Sequence, residues 1–455
     1  MTSTDVDTQA YPLAPDALLP LRTKLNVLRV FHTGPGLVRE ACGPVAMIKF
    51  KPSWLIPPLA VVTSPQGIRD VLGGSDGSVD KNDLVHTETS AWGNNLFNMP
   101  QRTWINRRRT IQPLFTKKHV AGFAGHISAA ADDVTASWIS AGSVDLDKES
   151  RKITLRVLGQ SIFGLDLGDR AEDLAQPIKR SLRWVTGRVS RPVRTPGWLP
   201  TPARRRLRGS LAQVRSLIDG AITAAREDPD SSAELIKLLL AAVDNETGRP
   251  LTDQQIADEL FIFVIAGHDT TSTTLTYSMW ALGRDRTIQD RVAAEALALG
   301  ERELSVTDLP QLPYTVQVIH EALRMCPPAA AVTRSATRDV IVDGHRVPAG
   351  SNFVLGIYAL HHDPAFWPDP ERFDPERFAA GRSAGRDRWQ FLPFGGGPRS
   401  CVGQHFAMLE ATLALASIMR KVEVTARDSE FPIALPFTLT AGGPIIATIR
   451  ARQSA

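Results

Sequence analysis

The longest apolar pattern in the chain begins at Thr252 and runs to about Leu282. Thr252-Asp-Gln-Gln255 opens it as a capping box, in which the threonine and glutamine side chains each satisfy a backbone N–H of the first turn. The apolar and small residues that follow predict a helix of roughly 30 residues. Its most apolar stretch, 260–267, is far short of the roughly 20 residues that a membrane span needs. After Gly403, the segment from Gln404 to Lys421 is rich in helix formers, with Phe406, Leu409, Leu413 and Ile418 close to one face. Leu312 to Cys326 predicts another helix, stopped by Pro327-Pro328. Residues 120–185, 203–226 and 231–244 carry further helical patterns, the first interrupted at Gly159 and Gly164.

Strand patterns are fewer and shorter. Residues 45–50 and 55–62 predict a hairpin across Lys51-Pro-Ser-Trp54, and Thr63-Ser64-Pro65 then supplies cap residues and a first-turn proline for a helix to about Leu72. Residues 329–332, 340–342 and 352–355 read as strands, and 436–442 as a hairpin whose tip reaches a pocket. Residues 1–15 read as a disordered tail, and 73–100, mostly Gly, Ser, Asp and Asn, as a long irregular loop of the kind that is often functional. The fold class is therefore mainly α with a small β-rich side region, arranged as a single domain over 1–455.

Composition narrows the function classes. Lys and Arg number 52 against 48 acidic residues, so the net charge of +4 does not suggest nucleic-acid binding. Cys42, Cys326 and Cys401 are too far apart for a C-x-x-C metal site, and an odd count with no basic, apolar leader argues against a disulfide framework. No transmembrane segment is expected, and a reducing cytoplasm fits.

The candidate chemistry centres on Phe394-Gly-Gly-Gly-Pro-Arg-Ser-Cys-Val-Gly403. Glycines at 395, 396, 397 and 403 allow tight turns or close approach to a flat ligand. Cys401 stands just before a predicted helix start, where the dipole and Arg399 favour a thiolate. A buried, inert cysteine is the alternative. In the long helix, Ala266-Gly-His-Asp-Thr-Thr271 places Gly267 inside a strong helix former, which implies a local need for space. Trp104 and Arg108 share one face of a basic helix, and Glu321 and Arg324 share another. By itself the second pair reads equally as a surface ion pair.

Taken together these segments resemble the cytochrome P-450 family. F-x-x-G-x-R-x-C-x-G is matched by Phe394, Gly397, Arg399, Cys401 and Gly403, and W-x-x-x-R followed by Phe is matched by Trp104, Arg108 and Phe115. A-G-x-D-T-T is matched from Ala266 to Thr271, and E-x-x-R by Glu321 and Arg324. The resemblance implies a cytochrome P-450 fold with haem b (iron protoporphyrin IX) ligated by the Cys401 thiolate. Trp104, Arg108, Arg334 and Arg399 then serve the haem propionates, and Ala266 and Gly267 leave room for dioxygen. Thr270 hydrogen-bonds the bound oxygen and Asp269 helps to bring it protons. Glu321 and Arg324 join Arg377 in a structural network, with Arg372 as a rival third member.

The implied reaction is insertion of one atom of dioxygen into a hydrophobic small molecule such as a fatty acid, terpene or steroid. No flavin, nicotinamide or iron–sulfur motif is present, which implies a separate redox partner, expected to be a ferredoxin with its ferredoxin reductase. An acidic ferredoxin is expected to dock on Arg102, Arg107, Arg109, Lys117 and Lys118. A peroxide-driven peroxygenase or isomerase and a non-catalytic haem sensor are the alternatives. Residues 181–210, with eight arginines and four prolines around Trp198-Leu199, read either as a basic linker or as a lid over the substrate entrance.

Overall fold

The computed structural model describes residues 8–50, 56–81, 83–165, 171–189, 199, 201–228 and 232–453. The turn at 51–55 and most of the proposed lid tip, Trp198 included, lie outside them.

Helices carry most of the chain. The first half supplies α1 (Leu21–Arg29), α2 (Gly34–Cys42), α3 (Pro65–Leu72), α4 (Asp83–Thr89), α5 (Gln101–Ile111), α6 (Lys117–Val120), α7 (Ala124–Ala141), α8 (Leu146–Leu158), α9 (Ala171–Val189) and α10 (Pro202–Glu227). The second half supplies α11 (Glu234–Ala241), α12 (Asp253–Leu282), α13 (Arg286–Leu297), α14 (Pro313–Met325), α15 (Ile357–His361), α16 (Ala380–Ser383) and α17 (Gln404–Lys421). No helix among the described residues is long and apolar enough to cross a membrane.

The predicted long helix is α12, 30 residues from Asp253 to Leu282, opened by the Thr252/Gln255 capping box. It is buried on nearly all sides, which explains why it reads as apolar or small all round rather than as a stripe. Its central core partners are α14 and α17, through residues such as Leu275, Met279, Val318, Ile319 and Leu415.

One side of the molecule is a five-stranded sheet of order β1-β2-β8-β5-β3, from β1 (Val45–Ile48), β2 (Leu59–Val62), β3 (Val79–Asp80), β5 (Ala331–Ala336) and β8 (Asn352–Gly356). The expected hairpin is β1 and β2, and β2 continues the sheet by pairing parallel to β8. β4 (Ser143–Asp145) joins β12 (Ile446–Ala451) and β9 (Val422–Ala426) in a second sheet. β6 (Val340–Val342) pairs with β7 (His345–Val347), and β10 (Ile433–Ala434) with β11 (Thr440–Ala441). As expected, Ser64 caps α3 by accepting from the Gly67 N–H.

Three expectations are corrected. Residues 8–15 are not a loose tail: Ala14 donates to the Arg346 carbonyl at 3.0 Å, Arg346 donates to the Pro12 carbonyl at 2.7 Å, and Ala14 is buried. Residues 73–100 contain β3, α4 and a 3-10 turn at Ser90–Trp92. Their order comes from asparagines that replace absent ladder bonds, such as Asn98, whose amide donates to the Thr89 and Gly93 carbonyls. The described residues of 120–185, where the sequence alone points to no chemistry, are mostly helical, and α8 among them carries Arg151, which meets Asp269 on α12.

Candidate active site

The loop that carries Cys401 is set by backbone geometry. Gly395 and Gly397 adopt φ of 70° and 69°, and a Cβ on Gly397 would collide with the carbonyl oxygen of Leu72 at the end of α3. Glycine is therefore required at 397 by the sheet side of the fold, not by a ligand. The Cys401 N–H donates to the Phe394 carbonyl at 2.9 Å, and Gly403 caps α17. Cys401 is thus presented at the floor of a cavity of about 460 Å³.

Although Cys401 opens onto the cavity, the surrounding protein desolvates its thiol and pushes it up, opposed by the Gly403 N–H and by the Arg108 guanidinium. The sequence suggested Arg399 for that charge, but Arg399 is engaged elsewhere. It donates to the Met99 carbonyl and the Gln101 side chain at 2.9 Å, pairs with Asp80 at 3.1 Å and lies over the Trp104 ring. Arg108 instead reaches the Ser400 carbonyl at 3.0 Å, one residue from the sulfur. Trp104 is buried behind both.

At one end of the cavity β3 runs beside β5, so that Asp80 and Lys81 face Arg334 and Arg399. Burial pushes the Arg334 and Arg399 guanidiniums down to about 10. Lys81 falls well below the ordinary lysine range, first through burial and then through the repulsion of these arginines. Three cations against the single carboxylate Asp80 leave an uncompensated positive charge that a pair of carboxylates would neutralise. Lys81 was not read from the sequence, where no pattern marks it. The β3–β5 pairing brings it to Arg334, and the Asp80–Arg399 pair brings the Cys401 loop to the same place.

Across from Cys401 stands the middle of α12, where Ala266 is the solvent-open face of an otherwise buried helix. Thr270 donates to the Ala266 carbonyl at 2.7 Å, which leaves its oxygen as an acceptor towards the cavity. Gly267 lines the cavity, yet a Cβ on it would lie 3.2 Å from Leu158 on α8. Its missing side chain therefore also serves the close approach of α8. Asp269 is buried, paired with Arg151 on α8 at 2.7 Å, and accepts from the Thr438 hydroxyl beside β11. Arg151 is itself held by Asp147 at 2.9 Å, four residues back on α8.

The upper cavity is apolar, lined by Phe97, Phe263, Leu182, Leu235, Ile262 and Phe437. Phe437 and Thr438 come from the turn between β10 and β11, so the expected hairpin does reach the pocket.

Away from the cavity, Glu321 accepts from Arg324 at 2.8 Å and from Arg377 at 3.3 Å, all three buried. Arg377, not Arg372, is the third member, since Arg372 contributes only its backbone carbonyl. On α5, Arg102 and Arg109 are exposed with Lys117 and Lys118 beyond them. Arg107 is buried against Glu259 at 3.2 Å and drops out of the expected basic surface.

Residues 32–444 match a family model described as cytochrome P-450. Among curated proteins the chain is 32% identical over 413 residues to "Cyclooctatin synthase" of Streptomyces melanosporofaciens, covering 90% of this chain and 87% of that one. It is 33% identical over 344 residues to "Cyclooctat-9-en-7-ol 5-monooxygenase" of the same organism, covering 74% of each. It is 30% identical over 433 residues to "Pentalenene oxygenase" of Streptomyces avermitilis, covering 94% and 93%.

Proposed function

Because the chain belongs to the cytochrome P-450 family, whose members are haem-thiolate monooxygenases, we propose that it uses haem b to oxygenate an apolar, hydrocarbon-rich small molecule. The observation that carries this reading is the cavity itself: a cysteine on one wall, the open Ala266 face of α12 on the other, a cationic end and an apolar end. The donor set fits the group. Cys401 supplies the thiolate, Arg108, Arg334 and Lys81 supply charge for two propionates, and Phe394 and the glycines supply a thin wall for a ring. When bound, the haem iron supplies dioxygen activation and oxygen-atom insertion.

The residues of this chain do the rest. The apolar walls bury the substrate and exclude water, so that its orientation decides which carbon reacts. Thr270 offers an acceptor at the oxygen side of the cavity, and Asp269, held between Arg151 and Thr438, is the buried carboxylate of that sequence motif. The endings of two relatives' names, -ene and -en-ol, specify an alkene and an alkenol, which suits these apolar walls. A terpene-like substrate is therefore favoured over a fatty acid, since the upper cavity lacks a cation placed to receive a carboxylate among the described lining residues. Electrons come from an external ferredoxin and its reductase in the cytoplasm.

The test is spectroscopic. The reduced, carbon-monoxide-treated holoprotein should absorb at the wavelength characteristic of thiolate-bound haem, and terpene hydrocarbons should shift its Soret band as water leaves. Full haem loading without the thiolate signature sinks the reading.

A further inference from the structure

Two adjacent carboxylates on α12, Asp258 and Glu259, are 5% and 0% exposed, and neither lines the cavity. Successive helical residues point about 100° apart, so the two serve different neighbours. Glu259 accepts from the Leu96 N–H at 3.1 Å and pairs with Arg107 on α5 at 3.2 Å. Asp258 accepts from the Asn94 N–H at 2.9 Å and from Arg215 on α10 at 2.8 Å, besides Gln254 one turn earlier. Gly93 has φ of 84°, and a Cβ on it would collide with the Asp258 carboxylate. The loop at 93–98 therefore hangs from these two acids by its own backbone.

That loop carries Phe97 into the cavity, edge-on to Phe437 with ring centres 5.8 Å apart. Trp92, just before it, lies 5.7 Å from Phe437 and donates to Ser181 on α9 at 2.7 Å.

We infer that Asp258 and Glu259 are positioning residues for substrate specificity: they fix the 93–98 loop, and through it the Phe97–Phe437 wall, against α12. Asp258 ties α10 to the same point, so loop, helix and wall share one anchor. Neither acid touches the substrate. A hydrogen bond to a charged acceptor is among the stronger kinds in a dry interior, and four such bonds from three other elements converge on two neighbouring residues. The inference rests on reading the cavity as a haem and substrate site.

The experiment uses the haem-loaded protein and two iron-binding probes, imidazole, which is too small to reach the wall, and 4-phenylimidazole, which extends towards it. Asp258→Asn should weaken 4-phenylimidazole by about tenfold and change imidazole by less than about twofold, read from Soret titrations. In a Phe97→Ala background, Asp258→Asn should cause no further loss, because its effect passes through Phe97. Equal changes for both probes, no change for either, or full additivity with Phe97→Ala would overturn the inference. Should Asp258→Asn fail to fold, Arg215→Gln, whose side chain is partly exposed, removes the Asp258 cation instead and carries the same expectation. A wild-type protein whose Soret band ignores imidazole speaks against the haem reading rather than against the anchor.

Discussion

The guanidinium of Arg151 lies 2.7 Å from the carboxylate of Asp269, joining α8 to the centre of α12 across 118 positions of sequence. The acid of the A-G-x-D-T-T motif is therefore clamped and not free-swinging. If it passes protons to the oxygen side of the cavity, Asp269→Asn should lower turnover by about 10²-fold while haem binding is kept. Steady-state product formation and the carbon-monoxide spectrum of the same sample decide it. Wild-type turnover in this variant would remove Asp269 from the chemistry.

Thr270 already donates to the Ala266 carbonyl and offers its oxygen to the cavity. Thr270→Ala removes that acceptor while leaving the methyl-sized bulk of the helix face. Product formed per electron pair consumed should fall, with haem content and substrate-induced Soret shift unchanged. An unaltered ratio would show that the hydroxyl is helix packing only.

Glu321 holds two buried guanidiniums at once. Glu321→Ala leaves both without their shared counter-charge, and removing one partner of a buried pair costs roughly 3–5 kcal/mol. Chemical denaturation of the holoprotein should register that loss. A change below about 1 kcal/mol, the range of surface pairs, would mean that the network is not structural.

Stability should peak near pH 6.5. Burial pushes His268 down to about 3, and His320 and His362 to about 4, from the ordinary 6.5. Below 6.5 the unfolded chain takes up protons that the folded chain refuses, so stability falls as pH drops from there towards 4. Burial pushes Glu410 up to about 8, and its contribution is complete below 4.5 and is lost as pH rises from there through that value. Urea midpoints across this range should show both limbs, with His320→Gln flattening the acid limb and Glu410→Gln the alkaline one. A flat acid limb in the wild type would show that the histidines are not held neutral.

The exposed cations Arg102, Arg109, Lys117 and Lys118 should steer an acidic ferredoxin. Its association rate, followed by stopped flow, should fall at least about tenfold between low and high salt, and again in a Lys117→Glu, Lys118→Glu double variant. A salt-independent rate would place electron entry elsewhere.

Which parts of this were legible in the sequence follows from how far apart the causes lie. α12, α17 and the Cys401 loop declare themselves because their caps, glycines and apolar runs are local. So does the Glu321–Arg324 pair, one helical turn long. Lys81, Arg151 and the Asp258–Glu259 anchor carry no local signal because each acts on a distant partner, Asp258 on Arg215 43 positions away and Arg151 on Asp269 118 positions away, and no short pattern encodes that. Arg107 was misassigned for a related reason: on α5 it alternates with exposed arginines, and only Glu259 distinguishes it. The 73–100 segment reads as loop because its order comes from asparagine side chains and tethers to α12, not from periodicity.

The absent side chain at 267 and the leucine at 158 occupy one shared volume between two helices. Bulk at this crossing is thus a conserved sum rather than a property of either site. A methyl group introduced on one helix can be accommodated by trimming the other, so the wall opposite Cys401 can be raised or lowered in steps of a single carbon without disturbing the sulfur.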